Sequence, residues 1–490
     1  MSRKPLFLIC ALLAACAAAS CGETASPEQP SDGSVASAET PETEAVSDAA
    51  NYDIPEPEIP EFDFGGAAFR FLDGYNSAME ESPERFLVSE GLTGEIVNDT
   101  VFNRNLKVEE KFHVDISMTS NHTDFINLIL SGEPFDLVMM DGPPLASTAL
   151  QGLYLNLTEI PYLNLTAEYW GTNALNGLIL DDLLYFMPNE ICLDPLSMAG
   201  FLYFNKRILN ENDLENPYEL VYSNQWTIDK YLSMVSAVPR DLNGDGIMDH
   251  SDLYGDVHRY EFRTAAFLQL FFGCGQTYTK LDEERGRVMA FDPVLCQELI
   301  DKIKGVLDDK TVCIGNFTNY NVEDIMEYRS LFMEGHTLFI QAEISAMESF
   351  RNMEDDFGLV PNPKYDSSQE EYYHRVHPHS AMFAVATTAE DLEKTGAVTE
   401  WMAWLSHCMV VPAYYEITIK QKRTRDVDAE AMLDLIRKTL VFEFGDEYDI
   451  WIPNYLWNTY ADGTWARMTA SEKLLNKQID RIVKKIRAVE

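Results

Sequence analysis

Apolar and polar positions alternate in AAFRFL (67–72) and again in VDISMT (114–119), and this period of two predicts strands. Between them, NDTVFNRNLKVEEKF (98–112) brings Val101, Leu106 and Val108 onto or near one face at helical spacing, with Asn98 or Asp99 as the cap. DFINLILSG (124–132) has helical spacing and stops at Gly132, and FDLVMMDGPP (135–144) reads as a buried strand running into a loop. Strand, helix, strand, helix, strand is the order of a parallel sheet covered by helices. Ligands of such sheets lie beyond the carboxyl ends of the strands, which singles out the loops Asp73 to Ser77 and Asp141 to Pro144.

The pattern continues with strands at LLYFMP (183–188), GFLYFNKR (200–207) and TLFIQAE (337–343). Helices are predicted at QWTIDKYLSMVSAV (225–238), capped by Thr227, at the apolar FRTAAFLQLFFGCG (262–275) and at DPVLCQELIDKIKGVL (292–307). The last helix, 471–490, is basic and carries Leu475, Ile479, Ile482 and Ile486 on one face, which suits packing better than a membrane surface. A chain of 490 residues is too long for one core, so at least two α/β lobes are expected.

Arg3 and Lys4 precede the apolar run PLFLICALLAACAAA (5–19), the form of a secretory signal and too short for a stable span. Cys16 and Cys21 both resemble sites where cleavage leaves a lipidated cysteine; Leu13 favours the first and Gly22 the second. The chain is therefore expected on the extracellular face of the cell membrane, held by acyl chains, with plain secretion as the alternative. Residues 22–64 are rich in Glu, Ser, Ala, Pro and Thr, with no Lys or Arg between Lys4 and Arg70, and read as a disordered acidic tether. A net charge of −43 repels nucleic acid and argues against a role there. Five scattered cysteines beyond the signal, Cys192, Cys274, Cys296, Cys313 and Cys408, lack CxxC spacing and imply buried thiols, not a disulfide framework.

Several stretches in order resemble one family. They are GLTGEIVNDTVFNRNLKVEEKFHVDI, SGEPFDLVMM, GFLYFNKRILNENDLENPYEL with QWTIDKYL, FMEGHTLFIQAE, DDFGLVPNPKYDSSQEEYY and PAYYE. Together they resemble the extracellular solute-binding lipoproteins of ABC importers, of the family 1 type found in clostridia and often handling carbohydrate. The resemblance implies a periplasmic-binding-protein-like fold of type II, two α/β lobes joined by hinge strands. It implies crossings near 191–196, 361–378 and 410–415, with residues 65–193 and 377–412 in one lobe and 194–376 and 413–490 in the other. It further implies a monomer that closes on a small solute and delivers it to permease subunits whose ATPase sits on other chains.

The chemistry on offer is mostly that of binding. In DLNGDGIMDHSD (241–252), Asp241, Asn243, Asp245, Asp249 and Asp252 have the spacing that wraps Ca2+, with the Ile247 carbonyl as a further ligand and Gly246 at the sharp turn. The alternative is an Asx-rich surface turn, and a final Asp in place of Glu shortens the reach. The loop stands alone, so it reads as a structural brace and not as a sensor. His374, His377 and His379 could hold zinc, but Pro378 and the short spacing do not fix a tetrahedral site, and a polar loop is the plainer reading. GxSxG, HExxH, P-loop and GxGxxG motifs are absent, so no enzyme is indicated. The rival readings are an extracellular carbohydrate-active enzyme and a surface adhesion lipoprotein.

Sugars offer apolar ring faces to aromatic planes and hydroxyls to carboxylates and amides. Asp73, Tyr75, Asn76 and Asp141 are candidates at strand ends, and Glu190 and Asp194 near the first crossing. If the resemblance holds, Gln341 and Glu343 face the cleft. The Trp that the family often carries in the following loop is missing from QAEISA, so Trp451, Trp457 or Trp465 would supply stacking.

Overall fold

The computed structural model describes residues 54–74, 86–258, 265–315, 325–420 and 427–489. The leader with Cys16 and Cys21, most of the acidic segment, and Tyr75 and Asn76 lie outside them. Thirteen strands run through the described residues: β1 (Ala67–Asp73), β2 (Val114–Ser120), β3 (Leu137–Asp141), β4 (Gly200–Asn205), β5 (Tyr254–His258), β6 (Thr279–Asp282), β7 (Gly286–Met289), β8 (Cys313–Gly315), β9 (Thr337–Glu343), β10 (Phe357–Val360), β11 (His374–Arg375), β12 (Ala381–Val385) and β13 (Leu440–Val441).

The first sheet has the order β12-β3-β1-β2. β1 runs parallel to β2 and β3, while β12 returns antiparallel with Ala381 opposite Asp141, so the expected parallel sheet is mixed at one edge. Asp136, just ahead of β3, ties this sheet to the helix Leu392–Leu405 that covers it. It accepts the Arg70 N–H at 2.9 Å and the Thr395 hydroxyl at 2.6 Å, and pairs with Lys394 at 3.2 Å. Both charges are buried, and removing one partner of such a pair costs about 3–5 kcal/mol.

Helix α1 (Ile96–Phe112) begins two residues before Asn98 and buries Val97, Val101, Val108 and Phe112. Asp99 is not the cap. It lies in the first turn and accepts the N–H groups of Thr93 and Gly94, organising the loop that leads in. Leu106 turns outward because Arg104 and Asn105 take the inward positions. Arg104 donates to the carbonyls of Leu87 and Ile191 and to the Ser406 hydroxyl, so a buried guanidinium pins the first crossing to this lobe. Helix α2 (Phe125–Leu130) forms where expected. After β3, however, Gly142–Pro143–Pro144 opens helix α3 (Gly142–Ala149) and not a loop. Proline fits the first helical turn, where its missing N–H has no partner to lose.

The second sheet, β10-β4-β9-β5-β8, is mixed: β4 is antiparallel to both β10 and β9, and β5 runs parallel to β9 and β8. Thr227 caps the helix Ile228–Ala237 by accepting the Lys230 N–H. The C-terminal helix starts earlier than expected, at Ala466, and buries Leu475, Ile479, Val483 and Ile486. Gln297 on the helix Pro293–Leu307 holds the start of that helix by donating to the Gly463 carbonyl and accepting the Trp465 N–H.

Between the sheets the chain crosses as extended segments. Residues 183–188, expected as a strand, make only isolated bridges, among them Met187 with Phe383; Pro188 and Pro195 cannot donate to a ladder. Ala199 bridges Val376, and β11 pairs in parallel with β13. The segment Ile54–Phe64, whose composition suggests a tether, packs on the first lobe. Trp401 donates to Glu56 at 2.8 Å, and the ring of Phe62 lies 5.2 Å from Phe64 and 5.4 Å from Tyr162. Four apolar residues, Ile54, Ile59, Phe62 and Phe64, lay an otherwise acidic strip against aromatic surface. No helix among the described residues is long and apolar enough to cross a membrane.

Candidate functional site

The crossing strands have two faces. His374 stands beside Leu440 and Arg375 beside Val441, and residues paired in register share a face, so successive residues point to opposite sides. On the Arg375 side lies a cluster of ionisable groups. Arg375 Nε and Nη2 donate to the two carboxylate oxygens of Asp446 at 2.7 and 2.9 Å. Asp446 belongs to the short helix Phe444–Glu447, which follows β13 and rests against α3. Just before it, Glu443 accepts the N–H groups of Tyr278 (2.8 Å) and Thr279 (3.3 Å) and the Thr279 hydroxyl (3.2 Å).

Glu447 closes on the carboxyl end of β3. A β-carbon placed on Gly142 would stand 1.6 Å from Glu447 Oε2, so any larger residue would push the Glu447 carboxyl out of its buried place. Beside it, Asp141 Oδ2 pairs with His379 Nδ1 at 3.0 Å. Two buried oxygens, Asp141 Oδ1 and Glu447 Oε2, have no hydrogen-bond partner among the described residues.

Asp446 and Glu447 thus lie by Arg375, Glu443 by Arg287 and Asp141 by His379. Burial pushes the Glu443 carboxyl up to about 7, Asp446 adding to the effect and Arg287 opposing it. Burial and then Asp446 push Glu447 well above the usual carboxylate range. The hydrogen bond to Asp141 raises His379 above an ordinary histidine, against partial burial. Such a site has acceptors to spare and, in its protonated carboxyls, donors as well, which is the set a hydroxyl can satisfy from either side.

The other sequence candidates scatter. Asp73 is buried at the end of β1, its carbonyl accepting the Asn121 N–H. Asp194 accepts the Ala381 N–H at 2.7 Å and fastens the first crossing to β12. Gln341 donates to Asn362 at 3.4 Å, and Glu343, at the end of β9, pairs with Arg329 at 3.5 Å. Trp451 is 52% exposed; Trp457 is half-buried 5.8 Å from Tyr460; Trp465 is buried against Phe291. Glu190 lies on the opposite face of the crossings, held by His407 and Arg437 at 2.7 Å each. Sequence reasoning missed Arg375, Glu443, Asp446 and Glu447. One signal was present: VFEFGDE sets acids among phenylalanines, where a carboxyl is forced inward.

The three histidines do not converge. His374 is buried, accepting the Asn362 N–H on Nε2 and bonding Thr439 through Nδ1, and burial lowers it to about 3. His377 and His379 lie with ring centres 5.2 Å apart. In the loop 241–252 the sharp turn is present, with Gly246 at φ 82°. Asp241 accepts the N–H groups of Gly244 and Gly246, and buried Asp252 those of Leu242 and Asp249. Among the described residues no group of three or more His, Cys, Asp or Glu is arranged to hold a metal.

No family model matches the chain, and no curated protein matches it. Among solved structures it is similar to UspC of Mycobacterium tuberculosis, with 11% identity over 84% of this chain and 100% of that one and a TM-score of 0.54. It is similar to an extracellular solute-binding protein of family 1 from Alicyclobacillus acidocaldarius (11% identity, 86% and 99% covered, TM-score 0.51). The apo form of RafE from Streptococcus pneumoniae is a third (14%, 86% and 98%, TM-score 0.50). At such identities the likeness is one of fold: a mixed α/β chain in two lobes, as the sequence led us to expect.

Proposed function

We propose that the chain is the substrate-binding receptor of an ABC importer, a binding protein and not an enzyme, and that it captures a carbohydrate or oligosaccharide between its lobes. One observation carries this reading: Asp141, at the carboxyl end of β3, and Glu447, on the segment leading to the second lobe, come together with buried oxygens left to satisfy. The two-lobed fold supports it, as does the name of the Alicyclobacillus protein. Open lobes dominate without solute, and contacts to both sides favour the closed state. Asp141 stands on one side and Glu447 on the other, and Asp73, Tyr75, Asn76, Gln341, Glu343, Trp451 and Trp457 are the sequence candidates for further contacts. Glu190 and Asp194 hold the crossing in shape. A lipidated Cys16 or Cys21 anchors the monomer outside the membrane, beside permease subunits.

Thermal shift and calorimetry with mono- and oligosaccharides, peptides and polyamines test the reading. A sugar is expected to raise Tm, and Asp141→Asn to weaken its binding by roughly tenfold or more, the loss of a charged hydrogen bond of about 1.5–3 kcal/mol. Stabilisation by a peptide or polyamine and by no sugar would refute the carbohydrate assignment. Turnover of a polysaccharide would refute the receptor.

The loop 241–252 belongs to the same proposal as a structural calcium brace, supported by the oxygen spacing and the Gly246 turn. Uptake requires Asp241 and its neighbours to exchange backbone amides for the ion. Calcium is expected to raise Tm over chelator by about 1 °C per kcal/mol of binding free energy, with sugar affinity nearly unchanged. Equal Tm in calcium and chelator would make the loop a plain Asx-rich turn.

A further inference from the structure

On the far face of the crossing strands, Leu440 and Phe442 border a cavity of about 340 Å³, small but within the range of small-molecule sites. It is separate from the Asp141–Glu447 cluster, because Leu440 shares the face of His374 while Arg375 faces the other way. Tyr169 and Trp170 form one wall. The Trp170 indole N–H donates to Glu400 at 2.7 Å, and the Tyr169 hydroxyl bonds the same carboxyl. Their polar ends are thereby occupied, and what remains for the cavity is aromatic carbon.

The charges along the wall cancel. Arg437 donates to Glu190 at 2.7 Å and to Glu168 at 3.1 Å, and Lys438 lies 3.4 Å from Glu168. Two cations meet two carboxylates, so neither an anionic nor a cationic ligand gains a free counter-charge. One donor remains. Asn189 is 4% exposed and its Oδ1 accepts the Ile191 N–H at 3.0 Å, which fixes the amide orientation and leaves Nδ2 buried with no partner among the described residues. The Arg437 guanidinium has the Tyr415 hydroxyl as a further partner, so it offers the cavity no free donor. A buried donor left unsatisfied costs about 1–3 kcal/mol, so a cavity beside one favours whatever brings an acceptor.

We propose that this cavity is a second binding site, distinct from the cleft, for a neutral polyhydroxylated molecule of monosaccharide size. An oxygen of the ligand accepts from Asn189 Nδ2, and its apolar face lies on the Tyr169–Trp170 wall. The inference does not rest on the cleft reading, since the two faces share no residue. D-glucose and glycerol serve as probes, by crystal soaking and by calorimetry on the folded chain. D-glucose is expected in the cavity with an oxygen at Asn189. Asn189→Leu is expected to weaken that binding about tenfold, while Asp141→Asn leaves it unchanged. If Asn189→Leu does not fold, Asn189→Ala removes the donor without filling the space and is expected to act in the same direction. No D-glucose in the cavity overturns the proposal, as does binding that responds to Asp141→Asn and ignores both Asn189 variants.

Discussion

Arg375→Met is expected to destabilise the chain by about 3–5 kcal/mol, the cost of stranding a buried charge. The Arg375 and Asp446 side chains are 7% and 3% exposed, and two hydrogen bonds join them. Methionine keeps much of the volume against Phe272 but leaves Asp446 beside Glu443 and Glu447 without a cation at hand. The pair also joins β11 to the helix after β13, so its loss loosens two crossings at once. Urea denaturation of the variant measures the effect, and Arg375→Met with Asp446→Leu is expected to recover most of it, because an apolar pair strands nothing. The loss should shrink as pH falls. With Glu443 raised from 4.5 to about 7, the folded state holds a proton that the unfolded chain releases, so this group's contribution to stability falls as pH rises through that interval. Arg375 pulls the Glu447 carboxyl down, so in the variant Glu447 is held higher still and the fall extends to higher pH. A cost under about 1 kcal/mol, the value of a surface pair, would show that water reaches Asp446.

How far the sequence led depends on the range over which each feature is held. β1 and β2 could be read because alternation is local, and Thr227 and Gly132 because capping is local. α1 began early because Asp99 was free to serve the preceding loop, a choice that spacing does not decide. The turn at Gly246 was likewise visible, but whether its aspartates face an ion or their own amides depends on rotamers. The ionisable cluster is held at long range. Asp446 meets Arg375 across 71 residues and Glu443 meets Tyr278 across 165, so nothing near either residue marks the contact. Asp141 was found because strand ends are a topological prior. Its partner Glu447 was not, because only the returning C-terminal segment brings it to Gly142. Glu190 was placed near the right crossing, yet the face it occupies follows from the register of β11 with β13, which no local pattern reveals.

Gly142→Val is expected to lower sugar affinity about 5- to 150-fold, because overpacking of about 1–3 kcal/mol would fall on the closed form alone. The residue's φ is not in the left-handed region, so valine brings no backbone strain there. The clash is steric and specific: the new β-carbon meets Glu447 Oε2 at 1.6 Å, and the two groups approach only when α3 and the helix Phe444–Glu447 are together. An open chain would not feel it, so Tm without sugar should move less than affinity does. Small-angle scattering separates the outcomes. The variant should keep its open dimensions at sugar concentrations that contract the wild type. Adding Glu447→Ala should restore the contraction at high sugar but not the full affinity, since one acceptor is gone. Wild-type affinity in folded Gly142→Val would mean that the lobes close on solute without bringing Asp141 and Glu447 together. The cluster would then be a fixed brace between the crossings, and the solute would have to sit elsewhere.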